Sequence, residues 1–136
     1  MKKKPNWFYQ QSAVIPIYNG KIVLVTSRKK KRWIIPKGII EKNMTPWDSA
    51  AKEALEEAGL LGIVESKKIG TFKHEKWGGV CTVSVFILHV EKVLNKWDEM
   101  KIRDRIVVSP KKAVSLITEK KLKKIINNLR LSSKKN

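Results

Sequence analysis

At 136 residues, 42% of them hydrophobic, the chain fits one globular domain that buries roughly two-thirds of the surface of its unfolded form. Lys and Arg number 30 against 12 Asp and Glu, and a formal net charge of +18 directs the search for partners toward polyanions: phosphorylated small molecules, RNA, DNA or an acidic membrane surface. The single Cys81 excludes an internal disulfide, "MKKKPNWFYQQS" has the charge of a signal peptide without its apolar core, and no run approaches the roughly 18 apolar residues of a membrane helix, so a cytoplasmic protein with no membrane partner is expected.

In chain order, "SAVIPIYNGKIVLVTSR" reads as two β-runs, 12–18 and 21–27, joined by Asn19 and Gly20, whose tolerance of positive φ suits a two-residue hairpin turn. The basic stretch "RKKKRWIIPKGIIEKNM" follows, interrupted by Pro36 and Gly38, and is expected to be a loop with functional potential. Thr45 as N-cap, Pro46 at the first helical position, Asp48 at N3 and Gly59 as the C-terminal stop predict a helix over about 46–58. "LGIVESKKIGTFKHEKW" and "VCTVSVFILHVEKV" read as strands separated by Gly78 and Gly79, with Cys81 buried in the second, and "RDRIVVS" as a further strand. Ser109 and Pro110 open a short helix to about Ile117. Thr118 is expected to cap a last helix, about 118–130, whose Leu122, Ile125, Ile126 and Leu129 recur at helical spacing while Lys120, Lys121, Lys123 and Lys124 form a solvated face. Residues 131–136 are expected to fray. With no repeat and no linker-like break, 1–136 reads as a single domain mixing strands with three helices, α/β or α+β.

The few acids are not scattered. Glu53, Glu56 and Glu57 fall at i, i+3 and i+4 and share one face of the 46–58 helix, where Ala50, Ala51, Ala54, Leu55 and Ala58 supply apolar surface. Like charges at that spacing destabilise an exposed helix by a few tenths of a kcal/mol per pair, and the negative end of the macrodipole disfavours anions further. Something cationic must compensate. Either nearby lysines ease a solvated face, or a hard divalent cation such as Mg²⁺ is held by oxygen ligands and retains water for a bound phosphate.

Residues 38–60, "GIIEKNMTPWDSAAKEALEEAGL", resemble the Nudix box: Gly, five residues, Glu, seven residues, Arg-Glu, an aliphatic, any residue, Glu-Glu, any residue, Gly and an aliphatic. Gly38, Glu53, Ala54, Glu56, Glu57, Gly59 and Leu60 fall at box positions. Two positions depart: the box Glu is Met44 and the box Arg is Lys52, a pair that in the family commonly braces the loop against the helix. Lys does not reproduce the bidentate fork of Arg, so a weaker brace is expected. Beyond the box, the segment from "RWIIPKG" onward and "WDEMKIRDRIVVSPKKA" look like the diphosphoinositol-polyphosphate phosphohydrolase branch and its bacterial relatives, over most of 12–117. That resemblance implies an α/β/α sandwich with a mixed β-sheet and hydrolysis of a phosphoanhydride by water with Mg²⁺ or Mn²⁺. It makes Glu53 and Glu57 metal ligands, adds the backbone carbonyl of Lys37, and makes Glu56 the candidate general base.

Candidates for phosphate binding are Arg28, Arg32 and Lys37 around the loop, with Arg103 and Arg105, which lie two apart on a predicted strand and so are expected to face one side. Trp33 is expected to pack against the sheet and His74 to sit exposed near a strand end. The expected substrate carries several consecutive phosphates: a diadenosine polyphosphate, an inositol pyrophosphate or another nucleoside diphosphate derivative. The eukaryotic inositol-pyrophosphate enzymes usually present basic residues where this chain has "YQQS", and an aromatic where it has the aliphatic "RIVVS". Competing readings from other classes are a non-catalytic polyanion-binding module on the same fold and an RNA-binding protein. The retained glutamates speak against the first, and the lack of an aromatic-basic repeat against the second.

Overall fold

A computed structural model of the chain describes residues 8–76 and 78–129. Its elements run β1 (Phe8–Tyr18), β2 (Lys21–Thr26), β3 (Trp33–Ile34), β4 (Lys37–Ile39), α1 (Pro46–Ala58), β5 (Leu60–Val64), β6 (Gly70–Lys76), β7 (Gly79–Val93), β8 (Arg105–Val108), α2 (Pro110–Leu116) and α3 (Lys120–Asn127). Among the described residues no helix is long and apolar enough to cross a membrane.

The expected hairpin forms at Asn19 and Gly20, with φ of 51° and 77°, and sets β1 antiparallel to β2. On its other side β1 runs parallel to the long β7, from Phe8 beside Val80 to Ile17 beside His89. β7 pairs with β6 through its first half and with β5 through its second, while β2 carries β3 and β8. The sheet is therefore mixed. The segment expected to be a loop contains two short strands, β3 and β4; β4 is fixed by antiparallel pairing of Gln11 with Ile39 and Ala13 with Lys37 rather than by any pattern of its own.

Both faces of the sheet are covered. On one, Val14, Val23, Val25, Phe86 and Leu88 pack against Ala50, Ala54 and Ala58 of α1, and Trp47 meets Phe86 edge-on with ring centroids 6.1 Å apart. On the other, Ala13, Ile15, Ile22, Leu24, Val83 and Val85 pack against Ala113, Ile117, Leu122 and Ile126 of the α2–α3 face. Alternation along the central strands sends neighbours to opposite faces, and burial on both sides produces their nearly continuous apolar runs. The result is the expected α/β/α sandwich. Cys81 is buried on β7, and Trp33 packs against the α2–α3 core, both as expected.

α1 has the expected bounds, with the Thr45 hydroxyl accepting from Asp48 N–H, Pro46 in its first turn and Gly59 at φ 67°. Leu55, counted with its apolar surface, instead points outward at 37% exposure. The cap of α3 is one residue later than expected: the Glu119 carboxylate, not Thr118, accepts from Lys121 N–H at 3.0 Å. The lysines at 120, 121 and 124 are exposed, opposite Leu122 and Ile126. The side chain of His74 and residues 131–136 lie outside the described set.

Candidate active site

The alanine face of α1 lets its backbone approach the sheet closely, and this puts the last two helical turns at the mouth of a cleft of about 640 Å³. Glu53 and Glu57 reach into that cleft. Opposite them stand Arg28, Lys29, Lys31, Arg32 and Lys37 of the basic segment, with Arg103 on the floor. Gly38 shapes the wall: a Cβ there would collide with the Glu53 carboxyl group and push that flexible side chain out of its present position.

The two cleft glutamates act on each other. Glu57 is only 6% exposed, receives the Lys37 backbone N–H at Oε1 (3.2 Å) and lies 3.8 Å from Arg103. Burial nevertheless dominates and pushes its carboxyl up to about 8, against the favourable charge of Arg103. Glu53 is also raised, first by burial, while a hydrogen bond between the two carboxyl groups lowers Glu53 and raises Glu57. Burial and mutual repulsion thus favour a proton retained by the Glu53–Glu57 pair, shared between the two carboxyl groups.

Glu56 goes elsewhere. It stands outside the cleft wall and accepts from Lys52 Nζ at 2.6 Å, while the same ammonium donates to Glu41 Oε2 at 3.0 Å. Both carboxylates raise the Lys52 pKa, Glu56 most. The brace expected to be weakened by Met44 is therefore present, but its acid is Glu41, three residues earlier.

The negative end of α1 is closed by the segment 94–105. Glu99 N–H donates to Glu56 O at 3.1 Å, Trp97 Nε1 to Glu57 O at 2.9 Å, Arg105 Nη1 to Ala58 O at 2.8 Å, and Leu94 N–H to Gly59 O at 2.8 Å. Arg105 also stacks over Trp97, 4.0 Å from the ring centroid. A guanidinium and three further donors on the last carbonyls offset the macrodipole that the clustered acids oppose.

The candidate phosphate binders separate accordingly. Arg28 and Arg32 line the cleft, with Lys37, as expected. Arg103 lines it too, but is 6% exposed and committed: Nε donates to Glu99 Oε1 at 2.7 Å and Nη1 to Thr26 O at 2.9 Å. Arg105 does not share its side. β8 begins only at Arg105, so strand alternation does not govern the pair, and Arg105 points to the end of α1 as a cap. Sequence reasoning missed Glu41 and Glu99, both cleft-lining acids. Glu99 carried one signal, its i, i+4 spacing to Arg103; Glu41 sits in a turn and carried none.

Fold and site together define a class: a mixed-sheet sandwich with a carboxylate helix facing a basic cleft. The family model described as NUDIX domain matches residues 8–129, and the chain belongs to that family. "Nudix hydrolase 12, mitochondrial" of Arabidopsis thaliana is 32% identical over 116 residues, 79% of this chain and 57% of that protein. "Diphosphoinositol polyphosphate phosphohydrolase 3-beta" of Bos taurus is 31% identical over 78 residues, 57% of this chain and 46% of the relative. The chain spans about half the length of these curated relatives. The crystal structure of C. elegans Ap4A hydrolase shares the fold with a TM-score of 0.72 at 13% identity, over 89% of this chain and 95% of that one.

Proposed function

We propose that the chain hydrolyses a phosphoanhydride in a substrate with several consecutive phosphates, using a divalent cation held by Glu53, Glu57 and the Lys37 backbone carbonyl. The observation that carries this reading is the pairing of buried Glu57 with half-buried Glu53 in a cleft walled by basic side chains. Among the described residues no three Asp, Glu, His or Cys side chains converge at metal-ligand range. Two carboxylates and a carbonyl suit Mg²⁺, which commonly takes one or two carboxylates and keeps several waters. Burial favours a retained proton on this carboxyl pair, and a dication bound there would take over its neutralising role, which supports the reading.

When bound, the cation offsets phosphate charge and lowers the pKa of water. The protein supplies the rest. Arg28, Lys29, Lys31 and Arg32 gather the phosphate chain and orient it against the glutamates. Glu56 is the candidate base once its carboxylate turns from Lys52 toward the cleft: it then accepts a proton from water as the water oxygen bonds to phosphorus and the anhydride P–O bond breaks, the electron pair leaving with the departing phosphate. Past Arg32 and Lys37 a second cavity of about 320 Å³ is walled by Trp33, Phe72, Ile117 and Leu122, with Glu119 beside them. Arg32 and Lys37 line this cavity as well as the cleft, so two cations and one carboxylate among apolar walls suit the part of a polyphosphorylated substrate that lies beyond its reacting phosphates.

The test is phosphate release with Mg²⁺ and then Mn²⁺ from diadenosine polyphosphates, nucleoside triphosphates, nucleotide sugars and inositol pyrophosphates, for wild type and Glu57→Gln. Turnover of one class that disappears in the variant supports the proposal. Strongly salt-sensitive RNA binding with no turnover of any compound supports the RNA-binding reading instead.

A further inference from the structure

We propose that Glu41 is a positioning residue for Glu56: through Lys52 it supplies the carboxylate that position 44 lacks, and it keeps the Lys52 ammonium from closing on Glu56 alone. This rests on the reading of Glu53, Glu56 and Glu57 as the reactive acids.

Lys52 and Glu56 are an i, i+4 pair on α1, and a flexible lysine stem with one anionic neighbour settles on that neighbour. Here the ammonium is shared, 2.6 Å from Glu56 and 3.0 Å from Glu41. Glu41 does not depend on the ion pair for its place. Its N–H donates to Ser49 Oγ at 3.1 Å, Ser49 in turn donates to Ile39 O at 3.4 Å, and Ser49 is buried on α1. A turn closed by Met44 N–H on Glu41 O at 3.1 Å, with Asn43 at φ 68°, brings the acid back over the helix. The loop is thus pinned by the backbone and Ser49, and the carboxylate of Glu41 arrives already placed beside Lys52.

Its contribution is therefore to placement more than to stability. Lys52 and Glu41 are 40% and 41% exposed, and pairs so exposed add little to folding. What the second anion changes is where the ammonium sits and how much Glu56 charge it neutralises. Glu41 also lines the cleft, so the shared ammonium lies between the cleft wall and the candidate base.

The experiment compares wild type with Glu41→Gln, the double variant Glu41→Gln with Met44→Glu, Glu57→Gln, and Glu91→Gln as a control for the loss of one surface acid. In the metal-free protein the lysine ammonium resonances are followed by NMR together with the melting temperature; with Mg²⁺, kcat and KM are measured on the substrate found above. Glu41→Gln is expected to broaden the Lys52 resonance, leave the melting temperature unchanged and lower kcat roughly tenfold at constant KM. Returning the acid to position 44 restores both the resonance and kcat, and Glu91→Gln behaves as wild type. An unchanged Lys52 resonance or kcat in Glu41→Gln, or a loss that Met44→Glu does not restore, overturns the proposal. Glu57→Gln separates the two failures: full activity there overturns the metal-carboxylate reading itself, whereas its loss beside a fully active Glu41→Gln overturns only the role of Glu41.

Discussion

The two faces of the sheet are packed by different means. The α2–α3 face uses large side chains, Ile117, Leu122 and Ile126 against Ile15, Ile22 and Leu24, and turns lysines to solvent. The α1 face uses Ala50, Ala54 and Ala58, so the helix lies close to the sheet and every small shift of its axis is transmitted to Glu53 and Glu57. One face supplies stability through volume; the other supplies position. The acids sit on the face packed through alanines, and four donors from 94–105 hold that helix end in place.

Substitutions on the two faces separate these contributions. The largest expected effect is on activity: Glu57→Gln lowers metal-dependent phosphate release by about a thousandfold while the fold melts normally, because Gln resembles the protonated acid of the metal-free protein. On the opposite face, Ile126→Ala destabilises by about 2–5 kcal/mol in urea unfolding and leaves kcat of the folded fraction near wild type.

The pH dependence follows from the sign of the Glu57 shift. Its folded pKa, about 8, exceeds the ordinary carboxylate value of 4.5, so the folded state binds the extra proton between those limits. The associated stability of the metal-free protein is fully present below 4.5 and is lost as pH rises toward 8, a trend read from melting temperatures. Metal binding has the opposite trend, since the ligand must be deprotonated: apparent affinity falls about tenfold per pH unit below that pKa, measured by titration at pH 6, 7 and 8.

Ala54→Leu sharpens the comparison of faces. Overpacking costs about 1–3 kcal/mol, and on this face it also pushes α1 outward and lowers kcat, which the cavity on the other face does not. Smallest is Arg105→Ala, expected to cost about 1 kcal/mol through the lost donor to Ala58 O and the lost stacking on Trp97, with KM for the phosphorylated substrate unchanged.

What could be read in advance was local. Thr45, Pro46 and Gly59 each act within one turn of the chain, so α1 was bounded to the residue, and Asn19-Gly20 fixed the first hairpin in the same way. Glu53 and Glu57 were legible as a pair because a helix converts i, i+4 spacing directly into a shared face, whereas Glu56 at i+3 turns to Lys52 outside the cleft. Tertiary arrangements were not. Arg103 and Arg105 were paired by strand alternation, yet only Arg105 lies on β8 and the irregular segment before it aims the two guanidinium groups differently. Met44 looked like the loss of a brace because position in the motif was taken for position in space, whereas the turn at 41–44 brings Glu41 to Lys52. The short strands β3 and β4 exist through their partners, and Glu119 rather than Thr118 caps α3, two adjacent residues that both have a capping oxygen.

The central claim is that Glu53 and Glu57 exchange a proton for a divalent cation. The most direct measurement is calorimetric titration of the protein with Mn²⁺ at pH 7 in two buffers of different ionisation enthalpy. The expected result is one bound cation with release of nearly one proton, and no binding at this site in Glu57→Gln. Binding without proton release, or unchanged binding by Glu57→Gln, would contradict it.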